Sequence, residues 1–108
     1  MPTISSDASH QTVITTFEVN PGTCQDLVDK LTEAYDGFIR HQPGFIGVAI
    51  HVNDAQCRIA SYSQWTRRED FLAMLRTEHM RAVNRELTGL CRSFEPVMYD
   101  VVHTAAAG

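Results

Sequence analysis

Apolar side chains recur along this chain at intervals of two, then of three to four, then of two again, and each change of period marks a new element. Residues 12–19 alternate around Val13, Thr15, Phe17 and Val19 and read as a β-branched strand that stops at Asn20-Pro21-Gly22. Thr23 with Asp26 three residues on resembles a helix cap. Leu27, Leu31, Ala34 and Phe38, widened by Val28, Tyr35 and Ile39, then predict an amphipathic helix to about Arg40. Gln42-Pro43-Gly44 turns the chain into a second strand over residues 45–52, and Asn53-Asp54-Ala55 turns it again into a third over residues 56–65.

In the second strand, strict alternation puts Phe45, Gly47, Ala49 and His51 on one face, with Ile46, Val48, Ile50 and Val52 on the other. Thr66 and Glu69 form a capping-box pair, and Phe71, Leu72, Leu75, Met80, Val83, Leu87 and Leu90 carry a helical pattern, continuous or broken near Thr77. A last strand over residues 92–103 contains Pro96, which suits a sheet edge or a bulge. The order βαββαβ predicts an α+β, ferredoxin-like antiparallel sheet with the helices on one face. Ile46, Val48, Ile50, Ala60 and Tyr62 would leave the other face apolar, so a two-fold homodimer, sheet against sheet, is expected.

Composition narrows the function. The 108 residues suffice for one core, placed at residues 12–103 between loose ends at 1–11 and 104–108, and leave no room for a dinucleotide-binding lobe. Nine Lys and Arg against thirteen Asp and Glu give a net charge of -4 with the signs interspersed, which argues against nucleic acid or an anionic membrane as partner. There is no apolar run of the ~20 residues that span a bilayer, and no basic-then-apolar leader, so a cytoplasmic protein is expected. Cys24, Cys57 and Cys91 are odd in number and form no CxxC pair, which fits reduced thiols better than zinc or disulfides.

No phosphate-binding glycine loop, HExxH, GxSxG or EF-hand motif is present, so any chemistry must come from scattered residues. His51 and Ser61 lie on paired strands, and Trp65 ends the face that carries Ser61. If the second helical region is continuous, Phe71 and Arg85 lie roughly 40° apart on one side of it. These residues, with Phe17, Phe38 and Leu75, outline an apolar chamber between helices and sheet. Each also has a plainer reading: His51 as an ordinary strand side chain, Trp65 as core, Arg85 as a solvated charge near a helix end. His79 suits either a gate or a helix surface.

The stretch from Gln42-Pro43-Gly44-Phe45 through His51 and Ser61-Tyr62-Ser63-Gln64-Trp65 to Arg85 resembles the antibiotic biosynthesis monooxygenase family. Within it the likeness is to the oxygenases of aromatic polyketide pathways, of the actinorhodin and tetracenomycin type, that turn anthrones into quinones. It spans about residues 12–103. The resemblance implies a dimeric α+β barrel that uses molecular oxygen with no flavin, haem or metal cofactor. It places His51, Trp65 and Arg85 in the catalytic pocket together with the positions of Ser61 and Phe71, and the chamber outlined above adds Phe17, Phe38 and Leu75 around the substrate beside Phe71. Two positions depart from that enzyme type, Ser61 standing where it has Asn and Phe71 where it has Tyr. Haem-degrading relatives carry an Asn on the first strand, which residues 12–19 lack. Polyketide cyclisation and non-catalytic binding of a small molecule are the competing readings.

Overall fold

Four strands and three helices form in the expected order, and the structure, a computed structural model, describes residues 10–108. The loose segment expected for residues 1–11 falls outside that range except at its end, where Gln11 already pairs with Trp65. The elements are β1 (Gln11–Glu18), α1 (Pro21–Gly37), β2 (Phe45–Val52), β3 (Arg58–Trp65), α2 (Arg68–Leu75), α3 (Glu78–Thr88) and β4 (Ser93–Tyr99). A single 3-10 turn, Ile39–His41, follows α1. All pairings are antiparallel in the order β2-β3-β1-β4, which makes β4 an edge and explains why it tolerates Pro96. This is the ferredoxin-like α+β fold.

Local chemistry set several boundaries differently from expectation. Helix α1 starts before Thr23, with Pro21 in its first turn and Asn20 in cap position. Proline is pre-organised there and its missing N–H costs nothing. Thr23 instead turns its hydroxyl back onto the Asn20 carbonyl at 3.3 Å. Thr66 does not cap α2 either; Arg67 occupies that position with no side-chain cap, and Glu69 and Asp70 complement the helix dipole in the first turn. The helical pattern does break at Thr77, whose Oγ1 accepts from the Met80 amide at 3.2 Å and donates to the Met74 carbonyl at 2.8 Å. That residue ends one helix and starts the next. The last strand stops at Tyr99, short of residue 103, and residues 100–108 have no regular structure.

The core lies between the sheet and the helices. Val13, Phe17, Ile59 and Trp65 rise from the strands to meet Leu27, Leu31, Met74, Val83 and Leu87. Phe17 stacks on Phe94 of β4 with ring centroids 5.4 Å apart.

One irregularity redirects a whole strand. The register of β2 against β3 shifts between Phe45 and Gly47, so Phe45 faces Trp65 on the helix side while His51 pairs with Ala60 and faces away from it. A bulge inserts one extra residue, and because side chains alternate with a period of two, every later position changes face. Val48 and Ile50 thus turn toward the core, contrary to the strict alternation expected, while Ala60 and Tyr62 stay on the outer face as expected and are joined there by Ile14, Ala49, Val97 and Tyr99. Thr12, Gly47 and Gln64, at one end of that face, are buried.

Candidate functional site

A cavity of about 140 Å³ lies between sheet and helices. Its origin is legible in the cross-strand rows. Across β3, β1 and β4, Ile59, Phe17 and Phe94 form one row and Ser63, Val13 and Met98 another, while between them these three strands present Ser61, Thr15 and Pro96, with Ile50 of β2 closing that row at the far edge. Three small side chains beneath three helices leave space that neighbouring bulky rows cannot close. The roof comes from Leu31 and Tyr35 of α1, Phe71 and Met74 of α2, and Met80 and Asn84 of α3.

The lining has a direction. Tyr35, Ser61, Phe71 and Met74 are buried, whereas Thr15, Leu75, Asn84 and Phe94 are half-buried and Pro96 is exposed. The mouth therefore lies toward β4 and α3, and the closed end lies at Tyr35 and Ser61. There the Tyr35 hydroxyl and Ser61 Oγ are 3.0 Å apart, and either is able to donate. Burial pushes the Tyr35 phenol above its usual range, opposed in part by hydrogen bonding to Ser61 and Ser63. The phenol is thus a neutral donor at physiological pH. Behind it, Ser63 Oγ accepts from Trp65 Nε1 at 3.2 Å and donates to the Val13 carbonyl at 3.4 Å. Among the described residues no cluster of three His, Cys, Asp or Glu side chains is placed to hold a metal ion.

The residues singled out from sequence separate into three groups. Ser61, Phe71, Phe17 and Leu75 line the cavity. Trp65 and Phe38 do not: Trp65 is completely buried, edge-on to Phe45 and Phe71 at 5.3 and 5.7 Å, and Phe38 stacks on His79 at 4.0 Å. His51 and Arg85 lie elsewhere and are exposed. The bulge puts His51 on the outer face, in a shallow depression with Thr16 and Arg58. Arg85 fails to meet Phe71 because the two belong to different helices. With Met80, Val83 and Leu87 turned inward, the neighbouring Asn84 reaches the cavity and Arg85 points outward.

Tyr35, Asn84 and Thr15 were missed. Tyr35 belongs to the apolar stripe of α1, where a hydroxyl needs a buried partner, and Asn84 follows Met80 by four residues on one helix face. Those spacings were the available signals.

A βαββαβ domain that encloses one mostly apolar cavity with a few polar groups is the architecture of a small-molecule site on a ferredoxin-like scaffold. The chain matches the antibiotic biosynthesis monooxygenase family over residues 11–86, and it belongs to that family. Tetracenomycin-F1 monooxygenase of Streptomyces glaucescens is 30% identical over 110 residues, which cover 99% of this chain and 95% of that protein. The fold is shared with a point mutant of SnoaB, a cofactor-independent oxygenase from Streptomyces nogalater, at a TM-score of 0.79 and 19% identity over 90% of this chain and 97% of that one. A monooxygenase of Streptomyces coelicolor solved in complex with nanaomycin D superposes with a TM-score of 0.78 and 22% identity, over 93% of this chain and 94% of that one.

Proposed function

We propose that this protein is a cofactor-independent monooxygenase that oxidises an anthrone-type aromatic polyketide to a quinone with molecular oxygen. The observation that carries this reading is the cavity: its walls are aromatic and aliphatic, with polar groups confined to Tyr35 and Ser61 at the closed end and Thr15 and Asn84 nearer the mouth. Family membership and the tetracenomycin-F1 relative point the same way. The cavity is smaller than the roughly 300 Å³ or more of typical ligand sites. Met74 and Met80 line it, and their unbranched side chains let it widen around a ligand.

The chemistry balances without a reductant. A ring methylene becomes a carbonyl, a four-electron oxidation, while dioxygen takes up the four electrons; one oxygen atom enters the quinone and the other leaves as water. Loss of a proton makes the anthrone an electron-rich enolate, which passes one electron to oxygen. The radical pair combines to a peroxide anion, which takes back the proton lost at the start, and the resulting hydroperoxide eliminates water. The protein must hold the ring, favour the anion and keep bulk water out. Phe17 and Phe71 provide apolar contact for the ring, and Trp65 supports Phe71 from behind. In this reading the unit is a cytoplasmic homodimer whose outer sheet faces meet, because Ile14, Ala49, Tyr62, Val97 and Tyr99 would otherwise face water.

Metal-free protein should consume oxygen with dithranol well above the rate in buffer, one molecule of oxygen per quinone formed. Absence of protein-dependent uptake refutes the reading, and turnover of an uncyclised polyketide without uptake identifies a cyclase instead. Light scattering at micromolar concentration tests the dimer; a monomer there removes that part.

A further inference from the structure

We infer that the Tyr35 hydroxyl is the group that hydrogen-bonds the ionising oxygen of the substrate, and that Ser61 enables this by giving its own proton to the phenol oxygen. The inference rests on the oxygenase reading above and assigns its anion-stabilising group.

Four observations support it. Both hydroxyls line the cavity and both are buried at its closed end, so a ligand entering from the β4 side brings its leading edge to them. They are 3.0 Å apart, and the bond has two directions. Ser63, the other hydroxyl beside Tyr35, is already committed to Trp65 and Val13. Ser61, in contrast, has its side-chain bond to Tyr35, so its proton is free to turn toward the phenol.

The pair is therefore a switch that needs no side-chain movement. With the cavity empty, either hydroxyl is able to donate to the other. With an oxyanion present, Ser61 donates to Tyr35 and Tyr35 donates to the ligand, in a two-link chain whose members polarise one another. A hydrogen bond to a charged acceptor is about twice as strong as a neutral one, and in a dry apolar cavity the gain falls on the anion rather than on the neutral substrate. Burial of the phenol keeps it protonated and able to donate. The other polar lining groups, Thr15 and Asn84, are half-buried toward the mouth. The substrate class follows: a planar arene with an enolisable ketone or phenol at the edge that enters first and an apolar body behind it.

The test uses alizarin, a hydroxylated anthraquinone whose ionisation is visible in its absorption spectrum and which needs no oxygen. Bound to the wild-type protein it should ionise about one to two pH units lower than when bound to Tyr35→Phe, the size of one hydrogen bond to a charged group. Ser61→Ala keeps the phenol but removes its donor, and should lose part of the shift. Equal shifts in wild type and Tyr35→Phe overturn the inference. So does a wild type that fails to bind the dye, or that binds it with the ionisation it has in water, whether or not either variant folds. Dithranol uptake is read separately: a protein that lowers alizarin ionisation yet consumes no oxygen refutes the oxygenase reading and leaves the Tyr35 assignment in place, and the converse result does the opposite.

Discussion

Gly44 is the residue of the Pro43-Gly44-Phe45 turn whose replacement is best quantified. Its φ is +81°, and a Cβ built on it would overlap the Asp70 side chain, running into Oδ2 and Cγ and lying 2.6 Å from Cβ. Alanine in that backbone region costs about 1–2 kcal/mol. The overlap adds to this, since the Asp70 Cβ is fixed to its helix and rotation of the carboxylate cannot remove it. Forcing extra atoms into a filled site costs about 1–3 kcal/mol, so Gly44→Ala should destabilise by about 2–5 kcal/mol. The effect reaches the site because the Gly44 carbonyl accepts the Thr66 amide at 2.7 Å, which ties the turn to the segment leading into α2 and Phe71. Urea unfolding of wild type, Gly44→Ala, Asp70→Gly and the double variant separates the two contributions. Asp70→Gly removes all three close atoms, so the double variant should keep the backbone cost and recover the overlap cost, a coupling of about 1–3 kcal/mol. A loss below about 1 kcal/mol in Gly44→Ala, or strict additivity in the cycle, refutes the steric argument.

Two further results are expected. Trp65→Phe loses the bond to Ser63 and part of a completely buried ring, and should cost about 1–3 kcal/mol in denaturant unfolding; a change under about 0.5 kcal/mol would contradict the packing described. Tyr35 ionises above its ordinary 10.0 in the folded protein because of burial. Between that value and the higher folded one, the unfolded chain releases a proton that the folded chain keeps, so stability contributed by the neutral phenol falls as pH rises through this window. Thermal unfolding from pH 9 upward should therefore decline less steeply in Tyr35→Phe than in wild type, and parallel curves would show that the phenol is not buried as described.

Much of the fold was readable because each element satisfies its own local rule. The period-two runs became strands, the stripe of Leu27, Leu31 and Ala34 became α1, and Pro96 marked an edge strand. Ser61, Phe71, Phe17 and Leu75 were placed around one cavity because each lies where the simple pleat or helix repeat puts it. The failures have equally local causes. A single added residue near Ile46 reversed the face of His51, and the Thr77 cap restarted the helix so that Asn84 rather than Arg85 reached the cavity.

What the sequence determines alone is therefore the order of elements and the apolar character of the site, which follow from periodicity, turn residues and spacing along the chain, and the family, which rests on likeness to related sequences. Only the tertiary structure decides which polar groups meet there. The bond between Tyr35 and Ser61 joins residues 26 apart on different elements. It depends on the register of β3 against β1, on the small row of Ser61, Thr15 and Pro96, and on α1 lying across it. Periodicity says which face a side chain takes, and packing alone says what it finds on that face.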